Sequence, residues 1–229
     1  MYALGKVLED MGEFNIEGVI LLGDLIDYGM QSNEVVACIE DELDYKIVCN
    51  IWGNHERAIA LEDFTGFSSK RGSECARYTA SVLTEENIDY LINNMNKEGM
   101  EEFELFGKKC LAVHGSLEDH YWKSITPDNV RGDYHEFGLV LSGHSHYFHV
   151  FTKFYDADDP EHRNKHATMF INPGSVGQPR NHNPNAQYAL IDEDMNVLLR
   201  SVPYDVDKAM GLYSGQVDFF YRDRLRFGV

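Results

Sequence analysis

The 229-residue sequence predicts a layered α/β sandwich, with sheets facing one another and helices outside. Three observations carry that expectation. In the first half, short β-branched runs are separated by stretches of helical spacing, which implies parallel strands joined by crossovers. In the second half the runs follow one another with only turns between them, which implies antiparallel pairing. Finally, four apolar runs stop close to a glycine and a carboxylate, amide or imidazole, as strands do when their C-terminal ends face a ligand.

Taken in order, Ala3, Leu4, Val7, Leu8 and Met11 have helical spacing. Residues 18–22 read as a buried strand stopped by Gly23-Asp24, and 32–42 as a helix with Ser32 or Asn33 near its cap. A second strand, 46–51, runs into Trp52-Gly53-Asn54-His55. Two helices are expected across 74–95, the second opening at Thr84 with acids in its first turn. Runs 102–106 and 109–114 flank Gly107-Lys108 as a hairpin, and 138–142 is a short strand ending at Gly143. Strands follow at 147–155, 167–172, 187–192 and 196–202, with the polar stretch 156–166 as a connection. Helices at 205–214 and 216–227 close the chain.

Composition narrows the function classes. Apolar content of 43% and charged content of 25% are those of an ordinary globular protein. No apolar run approaches the ~20 residues that cross a bilayer, and the N-terminus lacks the basic and apolar regions of a secretory signal. The expectation is a cytoplasmic protein without a membrane partner. Cys38, Cys49, Cys75 and Cys110 are scattered, and read as buried small hydrophobes in a reducing compartment. The net charge of −18 opposes nucleic acid and anionic surfaces. An anionic substrate then needs a local attractor, and bound cations are the usual one.

The strand ends supply the ligands such cations take. Strand 18–22 delivers Asp24, strand 46–51 delivers Asn54 and His55, strand 109–113 delivers His114, and strand 138–142 delivers His144 and His146. Each alone has an ordinary reading, since Asp and Asn are common turn residues and lone histidines are usually structural. One carboxylate, one amide and several imidazoles at corresponding ends form a mixed oxygen/nitrogen set suited to manganese, iron or zinc.

Gly23-Asp24-Leu25-Ile26-Asp27, Gly53-Asn54-His55-Glu56, Val113-His114-Gly115 and Gly143-His144-Ser145-His146 resemble, in this order, the motifs of the calcineurin-like metallophosphoesterases. Asn172-Pro173-Gly174-Ser175-Val176-Gly177-Gln178-Pro179-Arg180 is similar to the bacterial and archaeal branch. The resemblance spans essentially the whole chain, and implies a single domain, 1–229, with the family's α-β-β-α sandwich of two mixed sheets. It implies hydrolysis of phosphomonoesters, phosphodiesters or dinucleoside polyphosphates by metal-activated hydroxide. The cofactors implied are two divalent ions, manganese foremost, with iron, zinc or nickel as alternatives. Asp24 would bridge the ions, Asn54, His114 and His144 would complete the second, and His146 would bind the first. His55 would be the catalytic histidine and Arg180 a phosphate contact. The partner is a small phosphorylated or nucleotide substrate.

Two departures qualify this. The family's first strand ends in Asp-x-His-Gly-Asn, and Met1-Tyr2-Ala3-Leu4 resembles the segment just after it. The expectation is therefore an absent first strand, an incomplete first metal site and a native start upstream of Met1. Tyr28 stands where related phosphoprotein phosphatases carry an arginine, which argues against a phosphoprotein substrate. Asp27 is read as support for the turn, Trp52 and Trp122 as packing residues of which one could line a base or nucleoside pocket, and His120, His135, His149, His162, His166 and His182 as surface or structural. The alternative function is a catalytically impaired, metal-binding scaffold of the same fold.

Overall fold

The expected alternation folds into one five-stranded mixed sheet, two two-stranded ribbons and seven α-helices, in a computed structural model describing all 229 residues. Helix α1 (Tyr2–Met11) buries the row Ala3, Val7 and Met11. Strand β1 (Val19–Leu21) pairs in parallel with β2 (Ile47–Asn50). Their crossover is α2 (Ser32–Ala37), which widens into a π-helical turn at Cys38–Glu42. Three helices follow: α3 (Asn54–Ala60), α4 (Lys70–Val82) and α5 (Glu85–Asn93). The Thr84 side chain caps α5 as expected, accepting from the Asn87 N–H. Helix α4 starts earlier than the sequence suggests, because Ser69 accepts from Gly72 N–H and fixes the cap there.

Strands β3 (Met100–Leu105) and β4 (Lys108–Val113) form the expected hairpin. Phe106 and Gly107 both have positive φ, 51° and 70°, the signature of a two-residue turn matched to strand twist. With β5 (Leu139–Ser142), β6 (His149–Asp156) and β7 (Lys165–Asn172) they give the order β3-β4-β5-β7-β6. The central β4, β5 and β7 are parallel, and the edge strands are antiparallel to them. The second ribbon joins β8 (Ala186–Ile191) to β9 (Val197–Val202). Helices α6 (Val206–Met210) and α7 (Phe219–Phe227) end the chain, each capped by an aspartate, Asp205 and Asp218.

One face of the five-stranded sheet carries Cys110, Leu139, Leu141 and Ile171, which meet Ile20 and Leu22 from the first ribbon and Ala189, Ile191 and Leu199 from the second. Fully burying a side chain of this size contributes about 1.5–3 kcal/mol, so this layer is a main source of stability. Helices α2–α5 cover the far side of the first ribbon through Val36, Ala58, Ala76 and Leu91, and α1 covers the second.

The layering expected from the sequence is refined in two respects. The layer facing the large sheet is two ribbons, not one continuous sheet, because β1 hydrogen-bonds along one edge only. A groove of about 1220 Å³ separates β1 from β8, lined by Ile20, Leu22, Leu141, Ile171, Ala189 and Ile191, and reaches Asp24, His114, His144 and His146. The other face of the large sheet has no helix over it. Ile125, Tyr134 and Phe137, from the connection between β4 and β5, cover Leu111, Val113, Val140 and Phe170. No helix is long and apolar enough to cross a membrane.

Candidate metal centre

Parallel register brings the polar strand ends together. Val113 pairs with Ser142, so His114 and Gly143 leave the sheet side by side, and Gly143 N–H donates to the His114 carbonyl at 3.0 Å. The first ribbon delivers Asp24 just after β1, and Asn54 as the first residue of α3. A Cβ at Gly53 would lie 2.1 Å from Asp24 Oδ1, so the two loops touch at a point where only glycine fits. Glu56, fully buried, fastens them: its carboxylate accepts from the N–H groups of Asp24 (2.8 Å), Leu25 (2.7 Å) and Gly53 (2.8 Å). Asp24, Asp27, Tyr28, His144 and His146 all have positive φ, a concentration of backbone strain held by its surroundings.

Four donors converge. His114 Nε2 lies 3.2 Å from Asp24 Oδ2 and 3.1 Å from Asn54 Oδ1, and His144 Nδ1 lies 2.8 Å from the same amide oxygen. One ligand atom each from Asp24, His114 and His144 falls within 4.8 Å of the others. His114 Nδ1 sits 2.7 Å from the Leu22 carbonyl, which accepts its proton and orients the ring. Burial opposes charge on His114, but Asp24 outweighs it and raises its pKa, so a metal ion would displace the proton that Nε2 carries in the metal-free chain. Burial disfavours charge on Asp24, yet the imidazoles of His114, foremost, and His55 hold its carboxyl well below the usual range. Burial, helped by His114, pushes His144 down to about 4, so it is a neutral imidazole at neutral pH. Anionic oxygen, amide oxygen and neutral imidazole directed at one point are what a divalent cation requires. The residues fit one.

His146 stands apart from this group. It is buried, its Nδ1 lies 2.7 Å from the Gln178 carbonyl, and burial with the nearby Arg180 charge holds its pKa well below the ordinary value. Arg180 comes within 5.9 Å of the Tyr28 ring, and its buried Nε has no partner in the chain. His55 Nδ1 lies 2.6 Å from Asp27 Oδ2, while Asp27 Oδ1 accepts from Thr79 Oγ1 at 2.6 Å. Burial opposes charge on His55, but Asp24 and Asp27 outweigh it and push its pKa up to about 9. Asp27 is thus the carboxylate that holds His55, a role beyond the turn support expected of it. The sequence assigned Glu56 no role and Asp27 only the turn, because the bonds that define both are long-range.

The two tryptophans separate. Trp52 is buried and donates its indole N–H to the Leu91 carbonyl at 2.6 Å, as a packing residue does. Trp122 is half-buried, with its ring 6.2 Å from His144 and 5.2 Å from Phe67, which in turn lies 5.1 Å from His55. His120 and His166 bond the carbonyls of Glu98 and Phe137, and His162 bonds Asp159 on the surface, all away from the donor cluster.

Residues 1–196 match the family model described as the calcineurin-like phosphoesterase superfamily domain. The chain belongs to that superfamily. Membership implies divalent-metal binding, which agrees with the donor cluster. An uncharacterised protein of Methanocaldococcus jannaschii, MJ0912, is 30% identical over 219 residues, covering 90% of this chain and 84% of that one. A metallophosphoesterase from Sphaerobacter thermophilus superposes with a TM-score of 0.73 at 24% identity, over 100% of this chain and 95% of that one. The hypothetical protein PH1004 of Pyrococcus horikoshii gives a TM-score of 0.76 at 21% identity, over 96% and 92%. These two likenesses bear on the fold alone.

Proposed function

We propose that this calcineurin-like chain is a metal-dependent phosphoesterase acting on small phosphomonoesters, phosphodiesters or dinucleoside polyphosphates. The observation that carries the reading is the juxtaposition of the donor cluster with a buried histidine–aspartate pair, because the two halves do different chemistry. Asp24, Asn54, His114 and His144 hold one divalent ion, manganese foremost. Asp24 and His146 belong to the site of a second. When bound, the ions neutralise the phosphoryl oxygens and acidify the attacking water.

The chain's own residues do the rest. Asp27, fixed by Thr79, keeps the His55 proton on Nδ1 and stabilises the imidazolium, so that Nε2–H is the proton available to the departing ester oxygen. In the metal-free chain Asp24 and Asp27 outweigh burial and raise the His55 pKa to about 9. Arg180, whose buried Nε has no partner in the chain, offers its guanidinium to a phosphate oxygen. Glu56 holds both loops in register while the charge shifts. The impaired-scaffold reading draws on one observation, that His146 lies outside the converging group.

Manganese-dependent hydrolysis of bis-p-nitrophenyl phosphate by the full chain, with His55→Ala as control, tests the reading. Turnover abolished or lowered by about 10²–10⁴-fold in the variant is expected. A folded, metal-loaded wild-type chain without turnover overturns it in favour of the scaffold.

A further inference from the structure

Beside the donor cluster, Phe67 and Trp122 make a wall that the proposed chemistry leaves unused. They come from separate segments, Phe67 from the loop before α4 and Trp122 from the connection after β4. Their rings meet edge to face at 5.2 Å and 83°. Phe67 abuts His55 at 5.1 Å and Trp122 abuts His144 at 6.2 Å, so the wall spans the proton-donating histidine and a candidate metal ligand. Both side chains are half-buried.

The contrast with Trp52 says what the wall is for. A tryptophan kept for packing is enclosed and finds an acceptor for its N–H, as Trp52 does on Leu91. Trp122 is tied down through its backbone N–H, on Asp119 Oδ1 at 3.0 Å, and its indole N–H engages no acceptor of the chain. Gly66 lies so close beneath the indole that a Cβ there would come within 2.4 Å of Cζ2, which fixes the ring from one side. The ring is therefore supported and partly open, beside His144 and separated from His55 by the Phe67 ring.

We propose that Phe67 and Trp122 form a stacking subsite for a planar aromatic ring on the leaving side of the substrate, and that the preferred substrates are phosphoesters carrying a nucleobase there. This rests on the phosphoesterase reading and names its substrate class. Rings stack without needing a particular hydrogen-bond pattern, so the subsite selects nucleotides over aliphatic phosphates and discriminates weakly among bases. Arg180, near Tyr28, remains for the phosphate.

The test compares adenosine monophosphate with glycerol phosphate as inhibitors of manganese-dependent bis-p-nitrophenyl phosphate hydrolysis, in the wild type, Trp122→Ala and Phe67→Ala. Adenosine monophosphate is expected to inhibit roughly 5–100-fold more tightly than glycerol phosphate, the range that base–aromatic stacking supplies, and Trp122→Ala is expected to erase most of that advantage. Equal inhibition in the wild type, or an advantage that survives both substitutions, overturns the subsite. Tryptophan fluorescence gives a readout independent of turnover: adenosine monophosphate quenches the wild-type emission, and Trp122→Phe abolishes the quench. A chain that fails to hydrolyse the diester yet shows this quench defeats the phosphoesterase reading while keeping the subsite. No quench in the wild type defeats the subsite whatever the activity.

Discussion

Replacing Glu56 by alanine tests whether the two ligand-bearing loops depend on one buried carboxylate. Glu56 is fully buried and accepts three backbone N–H bonds at 2.7–2.8 Å, one from Gly53 on its own loop and two from Asp24 and Leu25 on the other. Hydrogen bonds to charged groups contribute about 1.5–3 kcal/mol each. The carboxylate also carries a burial cost, visible in a pKa raised by desolvation and by Asp24. The net loss in Glu56→Ala is then about 3–5 kcal/mol, a large share of the 5–15 kcal/mol typical of a domain. Glu56→Gln is a finer probe. Its amide oxygen can replace Oε2, which serves Asp24 and Gly53, while its NH₂ then faces the Leu25 N–H, donor against donor. The expected cost is about 1–3 kcal/mol. Urea unfolding by circular dichroism measures both, and a manganese titration reports whether Asp24 still reaches its partners. Variants within about 0.5 kcal/mol of wild type, with metal affinity unchanged, would refute the reasoning.

Other expectations follow from the same contacts. Asp27→Asn keeps a hydrogen bond to His55 but removes the charge, so turnover falls by about tenfold or more. In metal-free protein the His55 pKa measured by NMR then drops from about 9 toward the ordinary histidine value. Asp10 accepts from Tyr188 Oη at 2.6 Å and Arg200 Nε at 2.9 Å, tying α1 to the β8–β9 ribbon, so Asp10→Ala lowers stability by about 1–3 kcal/mol at pH 7. Arg200 and Tyr188 hold the Asp10 carboxyl below its ordinary value, so its contribution is present above that value and is lost as pH falls through the native pKa. The gap between wild type and Asp10→Ala in thermal melts therefore closes below pH about 4. The apolar groove between β1 and β8 is expected to bind an anilinonaphthalene dye in the native state, with blue-shifted emission that disappears on full unfolding.

The site was legible in the sequence where chemistry follows local order. Asp24, Asn54, His114 and His144 each sit one to four residues past a strand, so finding the strands found the donors. Asp27 was less legible because what it does is long-range. Its partners His55 and Thr79 lie 28 and 52 positions away, and nothing in the local pattern distinguishes that carboxylate from a turn residue. Glu56 was hidden for the same reason, since its bonds to Asp24 and Leu25 bridge two loops. Neither tryptophan's local sequence states its role; burial and the fate of the indole N–H separate them.

The fold was legible in element order and less so in layering. Helix α3 is one of the short helices, seven residues, and its residues were absorbed into the motif that opens it. The cover over Leu111 and Phe170 is irregular chain anchored by Ile125, Tyr134 and Phe137, which carries no periodic signal. The separation of the two ribbons depends on which strand edges meet, a tertiary fact that alternation of elements does not encode.

The most direct test of the central claim is calorimetric titration of manganese into the metal-free full chain, beside His114→Ala and Asn54→Ala. If Asp24, Asn54, His114 and His144 form a centre, the wild type binds saturably, and each variant loses that site or binds at least tenfold more weakly while keeping its fold. Wild-type affinity in both variants would contradict the account.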